Sequence, residues 1–258
     1  MLRIVTATRY VTPLREGGSV PALVEADDDG LYVVKLLGAG HGRKALVAEL
    51  LAGEIARHLD LPVPDLVLVE MDAALANAEP DQEIHDLLER SAGTNFGLDF
   101  LPGSLPFAPA VGPRPGPALA ADVVWFDALT TNVDRTPRNP NLIVWHRRLH
   151  LIDHGSALYI HHTWAKPAEH ARRPFTQIRD HVLLPFASSI EAADARLAPR
   201  VDRSVLERIA AGIPDDWLPA EDGLPDADAH RRAYVDYLVI RLDARRAFVE
   251  EAERARVA

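Results

Sequence analysis

One lysine lies inside an otherwise apolar segment, Leu31-Tyr-Val-Val-Lys-Leu-Leu37. Branched and aromatic residues of this kind predict a strand, so Lys35 would lie on a largely buried sheet. A buried ammonium group is costly unless it is paired with an anion. Lys35 is therefore a candidate for binding phosphate groups. The alternative is a lysine at a strand edge whose ammonium group reaches solvent.

The following segment offers a carboxylate partner for this lysine. Residues Arg43 to Leu59 are predicted to form a helix with an apolar stripe that includes Leu46. Glu49 lies on this inward-facing stripe, where it could pair with Lys35 and hold it against the phosphates of a nucleotide. Glu54 is the competing partner, although a solvated carboxylate is the more natural interpretation of Glu54.

A loop rich in Asn, Asp and Pro follows an apolar helix and precedes a hairpin strand. Within it, Asp134 and Asn139 have the spacing D-x-x-x-x-N. At this spacing in a kinase catalytic loop, the aspartate orients or deprotonates the acceptor hydroxyl and the asparagine binds metal. Asn141 is a second amide that could serve instead of Asn139. The simpler alternative is a turn in which these side chains cap backbone groups.

A further carboxylate ends an apolar strand in Leu151-Ile-Asp-His-Gly155. Aspartate in this position, followed by any residue and glycine, has the form of the metal-binding D-F-G segment, with His154 in place of Phe. Asp153 is therefore a candidate metal ligand. An ordinary turn at the end of a strand is the alternative.

A glycine pair lies between the first two predicted strands. The backbone N–H groups of Gly17, Gly18 and Ser19 could bind a phosphate. The segment matches neither G-x-G-x-x-G nor G-x-x-x-x-G-K-[ST], so its position before the lysine strand is the main argument for it.

These five features occur in the order that a two-lobed kinase requires. Phosphoryl transfer needs an anchored triphosphate, a metal ion that bridges the phosphates, and a carboxylate near the acceptor hydroxyl. The order predicts an ATP- and Mg²⁺-dependent phosphotransferase. Its catalytic residues would be Lys35, Glu49 and Asp134, and its metal ligands Asn139 and Asp153.

The elements that must position these residues are mostly strands in the first third of the chain. The segment from Gly93 to Pro117 is rich in Gly and Pro and has little periodicity, so we interpret it as a linker between lobes. The strands are predicted over Leu2–Val11, Val20–Glu25, Leu31–Leu36 and Asp65–Met71, and the helices over Arg43–Leu59 and Pro80–Ser91.

Beyond the linker the chain is predicted to be mainly helical, with one hairpin formed by NLIVW and LHLID. The predicted fold class is α+β. Residues 1–100 would form a β-rich N-lobe with one main helix, and residues 101–258 a mostly helical C-lobe of the same kinase domain. The helices of the C-lobe are predicted over Ala118–Thr130, Thr176–Phe186, Ile190–Leu197, Arg203–Ile213 and Asp228–Arg256.

The composition limits the kinds of protein this can be. The 258 residues contain no Cys, which excludes disulfides and thiolate metal sites. The formal net charge of −10 disfavours binding to nucleic acid. No apolar run is long enough to cross a membrane, and the N-terminus lacks the pattern of a secretory leader. We therefore expect a cytoplasmic protein that binds neither membranes nor nucleic acid.

The residues that carry these motifs resemble the HipA-like kinases and, more distantly, the phosphatidylinositol kinases. The resemblance covers roughly Leu14 to Tyr159. It favours Glu49 over Glu54 and places the metal-binding amide at Asn139. The matching segments are GGSVPALVEADDDGLYVVKL, ELLAGEIARHLDLPVPDL, FDALTTNVDRTPRNPNLIVW and LHLIDHGSAL.

This resemblance implies a two-lobed kinase that phosphorylates Ser or Thr of a protein. It also implies that the stretch between the lobes contacts adenine, for which Asp99, Phe100 and Leu101 are the candidates. Thr136 stands where the family often has His. An antitoxin-type, DNA-binding partner is known for HipA toxins, but this chain begins near the kinase core and no residue pattern supports such a partner.

Three alternatives differ from a protein kinase. A small-molecule kinase of the aminoglycoside or lipid type would use the same Lys, Asp and Asn residues. It would differ from a protein kinase in the molecule that accepts the phosphate. A nucleotide-binding pseudokinase would be expected to have lost Lys35 or Asp153. A metal hydrolase would need the chain's histidines to cluster, yet no H-E-x-x-H occurs. Its candidate ligands are His150, His154, His161 and His162.

Overall fold

The structure, a computed structural model, describes residues 2–14, 20–40, 42–110, 114–221 and 223–258. The predicted phosphate-binding residues Gly17, Gly18 and Ser19 lie outside the described residues. The described chain combines a strand-rich N-terminal part with a helix-rich C-terminal part, so the α+β class is confirmed.

The N-terminal part is a closed five-stranded barrel in the order β1-β2-β3-β5-β4. Strand β1 runs parallel to β4, and the other neighbours are antiparallel. The strands are β1 Arg3–Pro13, β2 Ala22–Ala26, β3 Leu31–Lys35, β4 Leu66–Met71 and β5 Gly93–Asp99.

Alternation along β4 shows how the barrel is packed. Val67 and Val69 belong to the apolar cluster inside the barrel. Leu66 and Leu68 belong to the main core, together with helix α1, Gly42–His58. Because successive side chains of a strand point to opposite faces, one strand serves both cores. The helix that carries Glu49 is thereby fixed against the barrel.

Strand β5 contradicts the prediction of a linker from Gly93 onward. This strand pairs with β3 on one side and β4 on the other, so it is central to the barrel. A Cβ at Gly97 would lie 2.7 Å from Val69 and 2.8 Å from Val67. The glycine that suggested a loop is thus required by close packing inside the barrel.

The C-terminal part is built around a buried helix and a small sheet in the order β6-β7-β8. Its strands are β6 Leu105–Pro106, β7 Leu142–Trp145 and β8 Arg148–Leu151. The helices, after α2 at Gln82–Arg90 in the N-terminal part, are α3 Pro117–Thr130, α4 Pro167–Ala171, α5 Ile190–Leu197, α6 Arg203–Ala210, α7 Ala227–Asp243 and α8 Arg246–Val257.

The predicted helix over Thr176–Phe186 is wrong. The chain forms two short 3₁₀ turns there, Thr176–Asp180 and Leu184–Phe186. Between them, the N–H of Val182 donates to the carbonyl of Arg135 at 3.0 Å. Contacts with the loop around Arg135 therefore take the place of a continuing helix, and Pro185 cannot donate a helical hydrogen bond.

The predicted helix over Asp228–Arg256 is two helices, α7 and α8. The chain turns at Ala244 and Arg245, and α8 returns to pack on α3. Phe248 lies edge-on against Trp125 with ring centroids 6.2 Å apart. Neither Gly nor Pro marks this turn, so tertiary packing and not a local signal decides where the helix ends.

Among the described helices, none is both long and apolar enough to cross a bilayer.

Candidate active site

Lys35 ends strand β3 and is paired with two carboxylates. Its Nζ lies 2.9 Å from Asp153 Oδ2 and 3.4 Å from Glu49 Oε1. The lysine and Glu49 are buried. Glu54 instead accepts two hydrogen bonds from Arg57. The structure thus brings together the predicted lysine, the helix glutamate and the strand-end aspartate.

The two carboxylates beside Lys35 have opposite pKa shifts. Burial raises the pKa of Glu49 to about 7, although the nearby Lys35 charge opposes this. Burial also favours the neutral form of Asp153, but the charge and hydrogen bond of Lys35 outweigh it and hold that pKa at about 2. Asp153 therefore stays ionised at neutral pH, as a cation ligand must.

The backbone after β8 directs Asp153 toward Lys35. Asp153 has a φ of 54°, in the left-handed region that aspartate tolerates better than most residues. The next N–H, that of His154, donates to Glu49 Oε2 at 2.8 Å. A Cβ at Gly155 would lie 3.2 Å from Glu49 Oε1. The segment thus needs a small residue at Gly155 to approach α1 this closely.

The predicted catalytic loop holds Asp134 by two amides. Asn139 and Asn141 both donate through Nδ2 to Asp134 Oδ2, at 2.7 Å and 3.2 Å. The N–H of Asp134 donates to Asn132 Oδ1 at 3.1 Å. Asn139 is exposed and Asn141 is buried, yet both line the same cleft as Asp134. The choice between the two amides as metal ligand stays open.

A buried ion network lies under this loop. Arg135 Nε donates to Asp127 Oδ2 at 2.5 Å, and neither side chain is exposed. His181 Nδ1 accepts from the N–H of Leu183, so Nε2 carries the proton and donates to Asp127 at 2.9 Å. Despite burial, these partners hold the pKa of Asp127 at about 2. Arg135 is therefore committed to Asp127 and does not reach a phosphate in the cleft.

The network residues were not predicted as functional. Asp127 carried a usable signal, because an aspartate inside the apolar run VVWFDALTT is costly unless it is paired. His181 lies 54 residues from Asp127 in the chain, and nothing in the sequence around His181 predicts its contact with Asp127. Asn132 was seen only as part of an Asn-rich loop.

The ring of His154 joins this network. Its Nδ1 accepts from Arg135 Nη2 at 3.1 Å, and the ring lies edge-on to Phe126 with centroids 5.7 Å apart. Burial, with the nearby Arg135 charge, lowers the pKa of His154 to about 3. The imidazole is therefore neutral over the physiological range.

These residues line a cleft of about 670 Å³. Its apolar lining residues include Pro106, Phe107, Leu142, Ile143 and Ile152. The lining also includes Gly42 and Ala45 of α1, Ser156, Tyr159 and His162. A cleft that combines apolar residues with a few charged groups suits a ligand made of an apolar base and phosphates.

The three residues predicted to contact adenine lie outside the lining of this cleft. The N–H of Asp99 donates to the carbonyl of Asp65, and the N–H of Phe100 donates to that of Leu31, both at 2.8 Å. Leu101 is buried. Pro106 and Phe107, a few residues further along, line the cleft instead. An adenine contact at Asp99, Phe100 or Leu101 stays a prediction.

The donor set in the cleft fits a nucleotide with a divalent cation. Carboxylate and amide oxygens are the ligands that Mg²⁺ prefers, and Asp153, Asn139 and Asn141 supply them. Because both amide nitrogens donate to Asp134, the amide oxygens point away from that carboxylate. Lys35 adds the cation that phosphates need.

Among the described residues, His150, His154, His161 and His162 do not form a cluster that could hold a hydrolytic metal ion. Within the described ranges, the group of histidines and carboxylates close enough to share a metal ion is His85, Asp86 and Glu89. It includes none of those histidines. His154 and His161 are buried, as expected for hydrogen-bonded core groups.

A β-barrel lobe, a helical lobe, and a Lys–Glu–Asp cluster facing a D-x-x-x-x-N loop define the kinase-like class of phosphotransferase folds. The chain belongs to the HipA-like kinase family, whose model matches residues 8–242. The predicted family is thereby confirmed, and the coarse function is that of a kinase.

A solved structure supports the same fold. The crystal structure of CtkA, a proinflammatory kinase of Helicobacter pylori, has a TM-score of 0.60 and 13% identity to this chain. The match covers 100% of this chain and 98% of that one. At this identity the likeness shows the fold, and it confirms the two-lobed kinase-like architecture. No curated protein matches the sequence.

Proposed function

We propose that this chain is an ATP- and Mg²⁺-dependent kinase that phosphorylates Ser or Thr hydroxyl groups of a protein. The observation that carries the proposal is the position of Lys35, bound between Glu49 and Asp153, in the cleft that also contains Asp134. Family membership implies ATP use and, in most members, a divalent metal.

Each residue has a distinct part in this reaction. Lys35 binds the phosphates, and Glu49 holds the lysine in place. Asp153, with Asn139 or Asn141, holds the Mg²⁺, which when bound neutralises charge on the phosphates. The acceptor oxygen bonds the γ-phosphorus as the bond to ADP breaks, and the hydroxyl proton passes to Asp134. Because both amides bind Oδ2 of Asp134, Oδ1 is the better placed oxygen for that proton.

The charge of the cleft favours a protein acceptor over a cationic small molecule. Among the described residues that line it, the carboxylates are Glu49, Asp134 and Asp153, all of which belong to the proposed machinery. An aminoglycoside carries several ammonium groups and would need further carboxylates. Tyr159 is instead 59% exposed beside His162, and exposed aromatic groups suit a protein segment.

ATP binding and phosphate transfer by wild type test the proposal, with Asp153→Asn and Asp134→Asn as variants. We expect Asp153→Asn to lose the Mg²⁺-dependent part of ATP binding. Asp134→Asn should bind Mg²⁺ and ATP normally but transfer phosphate at least ~100-fold more slowly. Asp243→Asn, on the exposed end of α7, is a matched control that should behave as wild type.

The acceptor is tested by offering Ser- and Thr-containing peptide mixtures and, separately, an aminoglycoside such as kanamycin. Transfer to peptide hydroxyls supports a protein kinase, and transfer to kanamycin overturns the acceptor assignment. Mg²⁺-dependent ATP binding with no transfer to any acceptor, to water or to the chain itself would indicate a pseudokinase. Absence of ATP binding would overturn the whole proposal.

A further inference from the structure

His154, between Asp153 and Gly155, makes one hydrogen bond to each lobe. Its backbone N–H donates to Glu49 on α1 at 2.8 Å. Its ring Nδ1 accepts from Arg135 in the catalytic loop at 3.1 Å. The residue is 1% exposed, so neither bond is weakened by competing solvent.

Histidine at this position has an energetic cost. Because Nδ1 accepts a hydrogen bond, the ring proton must be on Nε2. That nitrogen is buried and has no hydrogen-bond partner among the residues that the structure describes. A phenylalanine would fill a similar space beside Phe126 without a buried polar atom. Buried unpaired donors are rare in native proteins and need a reason, and the bond from Arg135 to the other ring nitrogen supplies one.

Arg135 connects this ring to the rest of the site. One of its nitrogens, Nη1, donates to the carbonyl groups of Asn141 and Ile152, at the two ends of the β7–β8 hairpin. Its Nε binds Asp127 on α3. The guanidinium group is rigid and planar, so these bonds together fix its orientation. The nitrogen that meets His154 is therefore presented at a defined position.

We propose that His154 is a positioning residue. Its hydrogen bonds to the two lobes set the orientation of the neighbouring Asp153 and fix the position of the catalytic loop relative to Asp153. An apolar ring makes no hydrogen bond, whereas a hydrogen bond to a fixed guanidinium group sets the rotation of the imidazole. The adjoining peptide then presents Asp153 for binding a cation. The inference rests on the proposed function, because it assumes that Asp153 binds Mg²⁺.

Three variants separate the hydrogen bond from the packing of the ring. His154→Phe keeps an aromatic ring but removes the acceptor. His154→Asn keeps an acceptor, the amide oxygen, close to the position of Nδ1 but removes ring volume. His154→Leu has nearly the shape of the Asn variant and has no acceptor, so this pair differs mainly in the hydrogen bond.

Two measurements are made on each full-length variant. Calorimetry gives the ATP affinity in EDTA and across a Mg²⁺ titration, and thermal melting without nucleotide gives the Tm. We expect His154→Phe and His154→Leu to need about tenfold or more Mg²⁺ for half-maximal ATP binding, as is typical when a residue that orients a metal ligand is lost. Their affinity in EDTA should stay within about twofold of wild type.

The Tm should follow a different order from the Mg²⁺ requirement. His154→Phe removes the unpaired N–H but also leaves Arg135 Nη2 without its acceptor, so the two effects oppose each other and its Tm should stay close to that of wild type. His154→Asn should melt lower, because it leaves a cavity, yet need less than about threefold more Mg²⁺. If His154 served packing alone, the Phe variant would keep the wild-type Mg²⁺ requirement and the Asn and Leu variants would lose it equally. That result overturns the inference.

The result for wild type separates this inference from the proposed function. If Mg²⁺ does not raise the ATP affinity of wild type, the proposed function itself fails. If wild type responds to Mg²⁺ and the Phe and Leu variants respond equally well, the kinase proposal stands and the positioning role of His154 is excluded.

Discussion

At the scale of single residues, two carboxyl groups in the site have pKa values shifted in opposite directions. Glu49 and Asp153 both contact Lys35, but Glu49 is 2% exposed at its side chain and Asp153 is 40% exposed. The more buried carboxylate has its pKa raised to about 7, and the other has its pKa lowered to about 2. Lys35 is thus shared between one carboxylate that holds it and one that remains charged for a cation.

The raised pKa of Glu49 makes stability depend on pH. The folded state holds this proton more tightly than the unfolded chain, whose glutamate has a pKa near 4.5. Ionisation of Glu49 therefore costs stability as the pH rises from the unfolded value through the folded one. We expect the Tm of wild type to fall relative to Glu49→Gln by roughly 5 °C between about pH 5 and pH 8.

Melting of both proteins without nucleotide across that pH range measures the effect. The comparison removes the contributions of all other titrating groups, since both proteins share them. Glu54→Gln, on the same helix, is the control, because Glu54 is bound by Arg57 and not by Lys35. A Tm difference for Glu49→Gln that stays constant with pH, or changes in the opposite direction, contradicts the expectation.

At the scale of elements, helix α3, which precedes the catalytic loop, is bound by two buried arginines near its C-terminal end. Asp127 binds Arg135 of the loop. At the next two residues, the carbonyl groups of Ala128 and Leu129 accept from Arg241 on α7, whose side chain is buried. A cation at the C-terminal end of a helix is favoured by the helix dipole and satisfies carbonyl groups that lack helical partners. The loop therefore starts from a rigid support.

The barrel strand that carries Gly97 gives a prediction at the same scale. A Cβ at this position would lie under 3.0 Å from the Val67 and Val69 side chains in the closed barrel. We expect Gly97→Ala to lower the free energy of unfolding by about 1–3 kcal/mol, because the barrel must expand or shift to accept the methyl group. Urea denaturation measures the change.

Gly40 provides the matched control for that substitution. A Cβ at Gly40 would meet nothing within 4 Å, so Gly40→Ala should change the free energy of unfolding by less than about 0.5 kcal/mol or raise it slightly. Equal effects of the two substitutions would mean that Gly97 is not constrained by packing inside the barrel.

At the scale of the whole molecule, the segment after α6 in the helical lobe packs against the N-terminal lobe and stabilises the junction of the two lobes. Trp217, after α6, is 1% exposed and donates its indole N–H to the carbonyl of Thr94 on β5 at 3.0 Å. Nearby, Lys44 on α1 binds Glu221 and the carbonyl of His161. The position of α1, and with it Glu49, therefore depends on contacts made far along the chain.

Substitution of Trp217 tests this junction. Trp217→Ala should lower the free energy of unfolding by about 3–5 kcal/mol, because it leaves a large cavity between the lobes. Trp217→Phe keeps most of the apolar volume and loses the hydrogen bond, so it should cost about 1–2 kcal/mol. Both are measured by urea denaturation, followed by far-UV circular dichroism and by fluorescence of the remaining tryptophans.

Coincidence of the two spectroscopic transitions shows whether the lobes still unfold together. We expect coincident transitions for wild type and Trp217→Phe and separated transitions for Trp217→Ala. A loss below about 1 kcal/mol in Trp217→Ala would show that this tryptophan does not join the lobes.

Much of the site could be predicted from the sequence because its residues are costly where they occur. Lys35 in an apolar strand and Asp153 at the end of another needed partners, and their order along the chain matched a kinase. Local patterns also predicted the main helix α1 and the hairpin that ends at Asp153. These features depend on neighbours in the chain, which a sequence displays directly.

Other parts depended on contacts between distant segments. Strand β5 was mistaken for a linker, because Gly97 and the polar residues beside it make sense only inside a closed barrel. The sequence around Arg135 does not distinguish an arginine that binds a phosphate from one that pairs with a carboxylate. Burial against Asp127 decides in favour of the carboxylate.

By itself, the sequence determined the class of chemistry, since residue types and their order set which charges and ligands are available. The tertiary structure decided which groups meet. It placed the ring of His154 between Arg135 and Phe126, and it brought Trp217 onto β5. The physical reason is that pairings across the fold depend on packing distances that no local pattern encodes, and a buried polar group takes whichever partner the packing brings within reach.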